Sequence, residues 1–421
     1  MTSINSEHKP LKELLRYVAM RSLFYQRMFE KNGIRLNEIN TLEDLQKIPF
    51  TEKEDLQNFT NDFICVPKNK LVDYVTTSGT TGKPVTLALT DADLERLALN
   101  EFTSFKTAGI TEDDIIQLMT TVDRRFMAGL AYFLGARKLG AGIIRVGNGL
   151  PELQWDTIRD IQPSVIICVP SFILHLIEFA EANNIDYKNS SIKKAICIGE
   201  AIRNADFTLN SLGKKISEKW NLQLHSTYAS SEMATAFTEC ESFNGGHLQE
   251  DLLIAEIIDD AGLPVKSGEA GELVITTLGM EGMPLLRFKT GDICIAHTKP
   301  CSCGRESLRL SPVLGRKKQM IKYKGTSLYP NAIYDILENN AMVKNYQVEV
   351  STNAAGTDEI QLHLGVNEKG NKHETDLMNT FRAKLRVVPQ LNFLSVEEVN
   401  NLLQAGNNRK PLKFIDKRIT N

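Results

Sequence analysis

The 421-residue sequence predicts an α/β protein: a large N-terminal domain of mixed sheets and helices, residues 1–314, followed by a small α+β C-terminal domain, residues 315–421. Three features predict it. Short β-rich runs alternate with helical ones from Asp113 to Ile198, the pattern of βαβ units and a mainly parallel sheet. Beyond His225 the strands shorten and turns intervene, which gives antiparallel character. After Gly315 a basic segment introduces a tail with its own strands and helix, long enough to enclose a separate core.

The elements follow in order. Between residues 10 and 31, Leu11, Leu14, Leu15, Val18, Leu23 and Phe24 recur at helical spacing, and a second helical pattern covers residues 41–48. Strands are expected at 113–121, 141–146, 164–169 and 192–198, alternating with helices at 128–139, 154–161 and 171–183. In the stretch 252–278, Gly262-Leu263-Pro264 and residues 268–271 punctuate two alternating apolar runs, which reads as antiparallel strands joined by turns. The tail contributes strands at 346–351 and 360–366 and a helix at 373–388.

Charge and cysteine usage narrow the function class. Lysine and arginine total 49 against 52 acidic residues, a formal charge of −3, so no basic field recruits nucleic acid or an anionic membrane. A small molecule is the expected partner. Seven cysteines form an odd, sparse set, which argues against a secreted disulfide framework. The first twenty residues lack the apolar core of a signal peptide, and no window reaches ~18 uninterrupted apolar residues. A cytoplasmic protein is expected.

The strongest chemical signal is Val75-Thr76-Thr77-Ser78-Gly79-Thr80-Thr81-Gly82-Lys83-Pro84. Its glycines let the backbone turn back on itself, its hydroxyls donate, and Lys83 supplies a positive charge, a combination suited to a polyphosphate. A Walker A loop would open a helix after Gly-Lys-Ser/Thr, whereas here Pro84 and the strand-like Val85-Thr86-Leu87-Ala88-Leu89 follow. The plain alternative is a polar hairpin turn.

This segment resembles the phosphate loop of adenylate-forming enzymes, the superfamily of acyl-CoA synthetases, peptide-synthetase adenylation domains and luciferases. Tyr228-Ala229-Ser230-Ser231-Glu232 is similar to its aromatic-Gly-x-Thr-Glu segment, with Ala229 and Ser231 departing from the usual glycine and threonine. Arg287-Phe288-Lys289-Thr290-Gly291-Asp292 resembles Tyr-Arg-Thr-Gly-Asp, and the segment from Gly315 to Gly325 resembles the hinge motif. Within the superfamily, Gly199-Glu200-Ala201, Cys301-Ser302-Cys303-Gly304-Arg305 and the segment from Arg409 to Arg418 are similar to the phenylacetate-CoA ligase group. Arg409 stands where that group has a glycine before its catalytic lysine.

The resemblance implies a reaction and a division of labour. ATP and Mg²⁺ would activate a carboxylic acid as its adenylate, and coenzyme A would then take the acyl group. Negative charge builds on phosphorus and on the departing pyrophosphate, so cations and donors should converge there. Lys83 and Lys410 would supply cations, and Glu232 would ligate magnesium, which favours a carboxylate with phosphate oxygens. Asp292 is suited to accept from the ribose diol, Tyr228 to stack on adenine, and Arg316 to reach the ribose. Lys318 occupies the hinge of a mobile small domain, with Lys322 and Gly325 on the stretch that would face the pantetheine channel. Apart from Lys318 and Lys322, the lysines of that segment read equally well as solvated charge. His225 and His175 read as packing, because the substrate carboxylate is already ionised at neutral pH.

In the group, the acid lies between the region Arg124 to Phe133 and the turn before Tyr228, so Phe126, Tyr132 and Phe133 are expected to line an aryl or arylacetic acid pocket. An aromatic stripe at helical spacing also describes ordinary core. Cys240, His247, Cys301 and Cys303 offer three thiolates and an imidazole, a set that a structural Zn²⁺ accepts. Cys65, Cys168, Cys197 and Cys294 read as core. The group's pattern implies a homodimer. Two rivals stay open: an adenylating enzyme that passes the acyl group to a carrier-protein thiol or an amine, and a catalytically silent nucleotide-binding relative.

Overall fold

The computed structural model describes residues 8–77, 84–324, 326–353, 357–367, 371–404 and 412–418, and the chain divides into two compact units between Val313 and Leu314. In the first unit the strands Gly142–Arg145, Ile115–Leu118, Val165–Cys168, Lys194–Cys197 and Gln223–Ser230 lie side by side in that order, all parallel. The helices Met127–Leu139, Pro151–Ile161, Pro170–Ala182 and Ser211–Lys219 make the crossovers. Val165–Cys168 is buried at every position, as expected of a strand covered on both faces.

Past Gln223–Ser230 the sheet turns antiparallel through Thr235–Glu239, Gly246–His247, Arg309–Leu310, Phe288–His297, Ala270–Thr277 and Leu253–Ile258. The βαβ core and the change of texture beyond His225 are therefore as the sequence predicts. Two entry elements differ. The first helix breaks at Ser22, which ends Lys9–Arg21 and caps Leu23–Lys31, its hydroxyl donating to Asp62 O at 2.9 Å. Residues 41–48 form only the short 3₁₀ turn Glu43–Lys47, because the Asp44 carboxylate accepts from the Asn40 and Thr41 amides, each at 2.9 Å, instead of pointing outward from a helix.

The helix Asp91–Thr107 has no counterpart in the sequence reading. A reciprocal cap starts it: Asp93 N donates to Thr90 Oγ1 and Thr90 N to Asp93 Oδ2. It packs on Met127–Leu139 through Gly135, where an added Cβ would stand 2.2 Å from the Glu101 Cβ, so only glycine permits the approach.

The second unit has the strand order Gln390–Leu394, Asp358–Val366, Val343–Thr352, Phe414–Asp416, with the middle pair antiparallel and both outer pairs parallel. Its helices are Pro330–Glu338, Asn371–Leu385 and Val396–Gln404. Arg418, just after Phe414–Asp416, ties that strand to the segment around Lys318, donating to Lys318 O, Met320 O and the Asp358 carboxylate at 2.7–3.1 Å. Among the described residues, no helix is long and apolar enough to cross a membrane.

Candidate active site

Ligands of open α/β sheets bind beyond the carboxyl ends of the parallel strands. Two predicted segments sit there. Gly199-Glu200-Ala201 follows Lys194–Cys197, turning at Gly199 with φ +74°, and Tyr228 to Glu232 ends Gln223–Ser230. The Glu200 carboxylate accepts from Ser171 N at 2.9 Å and Ser171 Oγ at 3.0 Å, at the start of Pro170–Ala182. Its charge therefore serves a helix N-terminus, where an anion is favoured.

Tyr228 Oη donates to Asp292 Oδ2 at 2.7 Å, joining two motifs 64 residues apart. Burial first, and the Asp292 charge next, push the Tyr228 hydroxyl well above its ordinary pKa, so it remains a donor. Its ring stacks on Phe237 with centroids 6.0 Å apart. Asp292 is almost fully buried; its backbone N–H donates to Thr290 Oγ1 at 3.1 Å, and Thr290 Oγ1 donates to Leu273 O.

Glu232 lies in the turn between Gln223–Ser230 and Thr235–Glu239, where Ser230 Oγ accepts from Met233 N. The far side of this turn is tied to the helix Asp91–Thr107. Arg96, buried, donates to Ala234 O at 2.6 Å, Thr235 Oγ1 at 3.0 Å, Leu252 O and Leu278 O, while Asn100 Oδ1 accepts from Ala236 N at 3.0 Å. Lys53 Nζ stands 3.9 Å from Glu232 Oε1.

Lys53 was not foreseen. The segment holding it pairs Thr51 with Phe288: Thr51 N donates to Arg287 O and Lys289 N to Thr51 O, just ahead of Asp292. Arg287 is buried, bidentate to Glu256, with its guanidinium 4.2 Å from the Phe50 ring centroid; Lys289 pairs with Glu52 at 2.9 Å. The only local signal was the Glu52-to-Asp55 capping box, which marks a helix start and not a site.

Ser78, Gly79, Thr80, Thr81, Gly82 and Lys83 lie outside the described residues, as do Gly325 and Lys410. The flanks of the loop are described: Leu71–Thr76 and Thr86–Thr90 pair as an antiparallel hairpin, Thr77 N donates to Val85 O, and Thr76 N donates to Arg125 O at 3.0 Å. Arg316, Lys318 and Lys322 belong to the second unit; Lys322 is exposed and its amide donates to Asp358.

The three aromatics take different environments. Phe126 is exposed ahead of the helix Met127–Leu139, Tyr132 is buried in the core with Phe105, and Phe133 lies against the Arg145 guanidinium. Tyr132 is thus a core side chain. His225 is buried, and burial lowers it to about 4, while His175 is exposed; neither touches the Tyr228–Asp292 pair in any described contact.

The ligand atoms of Cys240, His247, Cys301 and Cys303 all lie within 4.8 Å of one another. Cys240 Sγ is 3.7 Å from Cys301 Sγ, and Cys303 Sγ is 3.6 Å from His247 Nε2. Ser307 Oγ meets His247 Nδ1 at 2.9 Å, which turns Nε2 toward the sulfurs. Cys65, Cys168, Cys197 and Cys294 are buried as expected of core thiols.

The AMP-binding enzyme family matches residues 26–282 of the chain. The chain belongs to this family. Within it, the chain is 32% identical to a phenylacetate-coenzyme A ligase of Thermus thermophilus, over 86% of this chain and 81% of that protein. It is 30% identical to the phenylacetate-coenzyme A ligase of Escherichia coli, over 81% and 77% respectively. A solved structure of 2-hydroxyisobutyryl-CoA ligase in the postadenylation state, in complex with 2-HIB-AMP, covers 97% of this chain and 88% of its own at 22% identity and a TM-score of 0.84. That likeness shows the fold.

In this AMP-binding enzyme, Gly199 to Ala201, Tyr228 to Glu232 and Asp292 come from one unit, and the Tyr228–Asp292 bond brings the last two together. Arg96, Asn100 and Lys53, which brace or face that site, were missed by the sequence reading.

Proposed function

We propose that this chain is an AMP-forming acid–coenzyme A ligase for an aryl or arylacetic acid. The observation that carries the reading is the Tyr228–Asp292 contact beside Glu232, at the sheet edge where α/β proteins bind ligands. It is supported by the phenylacetate-coenzyme A ligases to which most of the chain is similar.

The acid oxygen attacks the α-phosphorus of ATP and pyrophosphate leaves. Asp292 accepts from the ribose diol, Tyr228 lies against the base, and the backbone of Gly199 to Ala201 borders the nucleotide. Lys83 offsets the phosphate charge, and the hydroxyls of Ser78, Thr80 and Thr81 donate to the phosphate oxygens. Glu232 would hold Mg²⁺, which supplies charge neutralisation on the phosphate oxygens. Lys410 bridges the carboxylate and the α-phosphate in this first half-reaction. Lys318 is the hinge for the second, in which a thiol displaces AMP, with Arg316 at the ribose and the Lys322 to Gly325 stretch along the pantetheine. The odd, sparse set of seven cysteines fits a reducing cytoplasm, and a homodimer accompanies this reading.

The cysteine cluster fits a structural zinc. A tetrahedral Zn²⁺ with Zn–S near ~2.3 Å requires sulfur–sulfur edges of ~3.8 Å, and the Cys240–Cys301 separation is 3.7 Å. Cys240, His247, Cys301 and Cys303 would close the site, which stands apart from the reaction and ties two turns of the antiparallel region together.

Pyrophosphate–ATP exchange with a panel of acids tests the reading. Exchange is expected only when an aryl or arylacetic acid is present, and Lys410→Ala should abolish it while sparing transfer from a preformed acyl-adenylate. Exchange with no acid of the panel would overturn it.

A further inference from the structure

Arg203 and Glu239 form a buried ion pair, their side chains 8% and 2% exposed, that no step of the proposed reaction uses. Arg203 comes two residues after the Gly199-to-Ala201 turn, and Glu239 ends the strand antiparallel to the one carrying Tyr228. Each guanidinium nitrogen has an acceptor. Nε donates to the Glu239 carboxylate at 3.0 Å, Nη2 to Leu224 O at 3.0 Å on the Tyr228 strand, and Nη1 to Phe207 O at 3.2 Å on its own loop. Glu239 Oε2 also accepts from Ser226 N at 2.8 Å, two residues before Tyr228. The Phe243 ring covers the pair, its centroid 4.9 Å from the guanidinium carbon.

Apart from the bond to Phe207, each contact spans two segments. The turn that borders the nucleotide on one side and the strand that presents Tyr228 on the other are joined through one carboxylate and one guanidinium. We infer that Arg203 and Glu239 are positioning residues which set the gap between the Gly199-to-Ala201 turn and Tyr228, and so govern the affinity for ATP without touching it. The inference rests on the nucleotide site proposed above. A buried ion pair contributes little net stability compared with apolar replacements, so a role in geometry is the better reason for its presence. Arginine suits it because a planar fork fixes direction as well as distance.

Two conservative variants test this. Glu239→Gln keeps an acceptor for the Ser226 amide and loses the charge; Arg203→Lys keeps the charge and loses the fork. In acid-dependent AMP release, each should raise KM for ATP about tenfold, the effect of weakening one charge-assisted hydrogen bond, with KM for the acid and for coenzyme A within about twofold of wild type. The double variant should be no worse than the poorer single one, because the two act as a unit. Thermal melts confirm which proteins are folded. Should one variant fail to fold, Phe243→Leu, which removes the ring that covers the guanidinium and packs on His225, should still raise KM for ATP severalfold. Folded variants with unchanged KM for ATP, or with all three KM values moving together, would overturn the inference and leave the pair a structural contact. Asp292→Ala, assayed in parallel, separates the two levels: weakened ATP binding there with intact binding in the pair variants defeats the positioning role alone. Intact ATP binding in Asp292→Ala defeats the site itself and the inference with it.

Discussion

The Tyr228 hydroxyl donates to the Asp292 carboxylate at 2.7 Å, so the side chains proposed to face the base and the sugar hold each other in place. Asp292 is 8% exposed, and a carboxylate in that setting needs its donors. Tyr228→Phe removes one of them while keeping the ring on Phe237. The expected loss is ~1–2 kcal/mol of stability in urea unfolding, with KM for ATP raised severalfold and KM for the acid unchanged. Parallel rises in both KM values would argue that the hydroxyl supports the whole fold and not the nucleotide site.

Lys53 is the cation 3.9 Å from Glu232, with both side chains partly shielded. If Glu232 is the magnesium ligand, Lys53 shares the carboxylate that Mg²⁺ needs. Lys53→Met should lower the half-saturating Mg²⁺ concentration by about two- to fivefold, the range of a weak ion pair, with stability within ~0.5 kcal/mol of wild type. The check is a Mg²⁺ titration of acid-dependent AMP release at fixed ATP. A higher Mg²⁺ requirement in the variant would show that Lys53 acts on the phosphates instead.

Glu101 is buried between two helices, and its carboxyl is pushed from 4.5 up to about 8 by burial, opposed by the Asn100 amide at 2.9 Å. The folded protein therefore keeps a proton at neutral pH that the unfolded chain releases. The sign follows: this group's contribution is fully present below pH 4.5 and is lost as pH rises through about 8. Glu101→Gln keeps the Asn100 hydrogen bond and removes the titration. The variant should match wild type in melts at about pH 4 and exceed it by on the order of 5 kcal/mol at about pH 9. A constant difference across that range would show that Glu101 does not titrate there.

The cysteine cluster predicts about one zinc per chain in metal analysis of purified protein. Cys301→Ser should lose the metal and ~2 kcal/mol or more of stability. Wild-type protein that is fully stable and free of metal would return Cys240, Cys301 and Cys303 to the core.

The legibility of this chain in its sequence follows a physical division. The expected phosphate loop lies outside the described residues and the tyrosine and aspartate segments are shown only to touch each other, whereas the parallel strands and their helices were readable because Val165–Cys168 and its neighbours are apolar runs between turns. The helix Asp91–Thr107 was not, since its buried face carries Asp93, Arg96, Asn100, Glu101 and Ser104, which erase the apolar period. Asp93, Arg96 and Asn100 are inward because they bond to Ala234, Ala236, Leu278 and Gly282, partners more than 130 positions away. Lys53, Arg203 and Glu239 were invisible for the same reason: each acquires meaning only from a distant partner. Tyr132, expected along a pocket wall or in ordinary core, lies in the core beside Phe105.

The most direct measurement is AMP release from ATP and Mg²⁺ with an arylacetic acid such as phenylacetate, with and without coenzyme A. An AMP-forming acid–CoA ligase should release AMP only when the acid is present, accelerate when coenzyme A is added, and form one acyl-CoA for each AMP. Acid-dependent AMP release that coenzyme A leaves unchanged, with no acyl-CoA formed, would contradict the assignment and point to another acceptor.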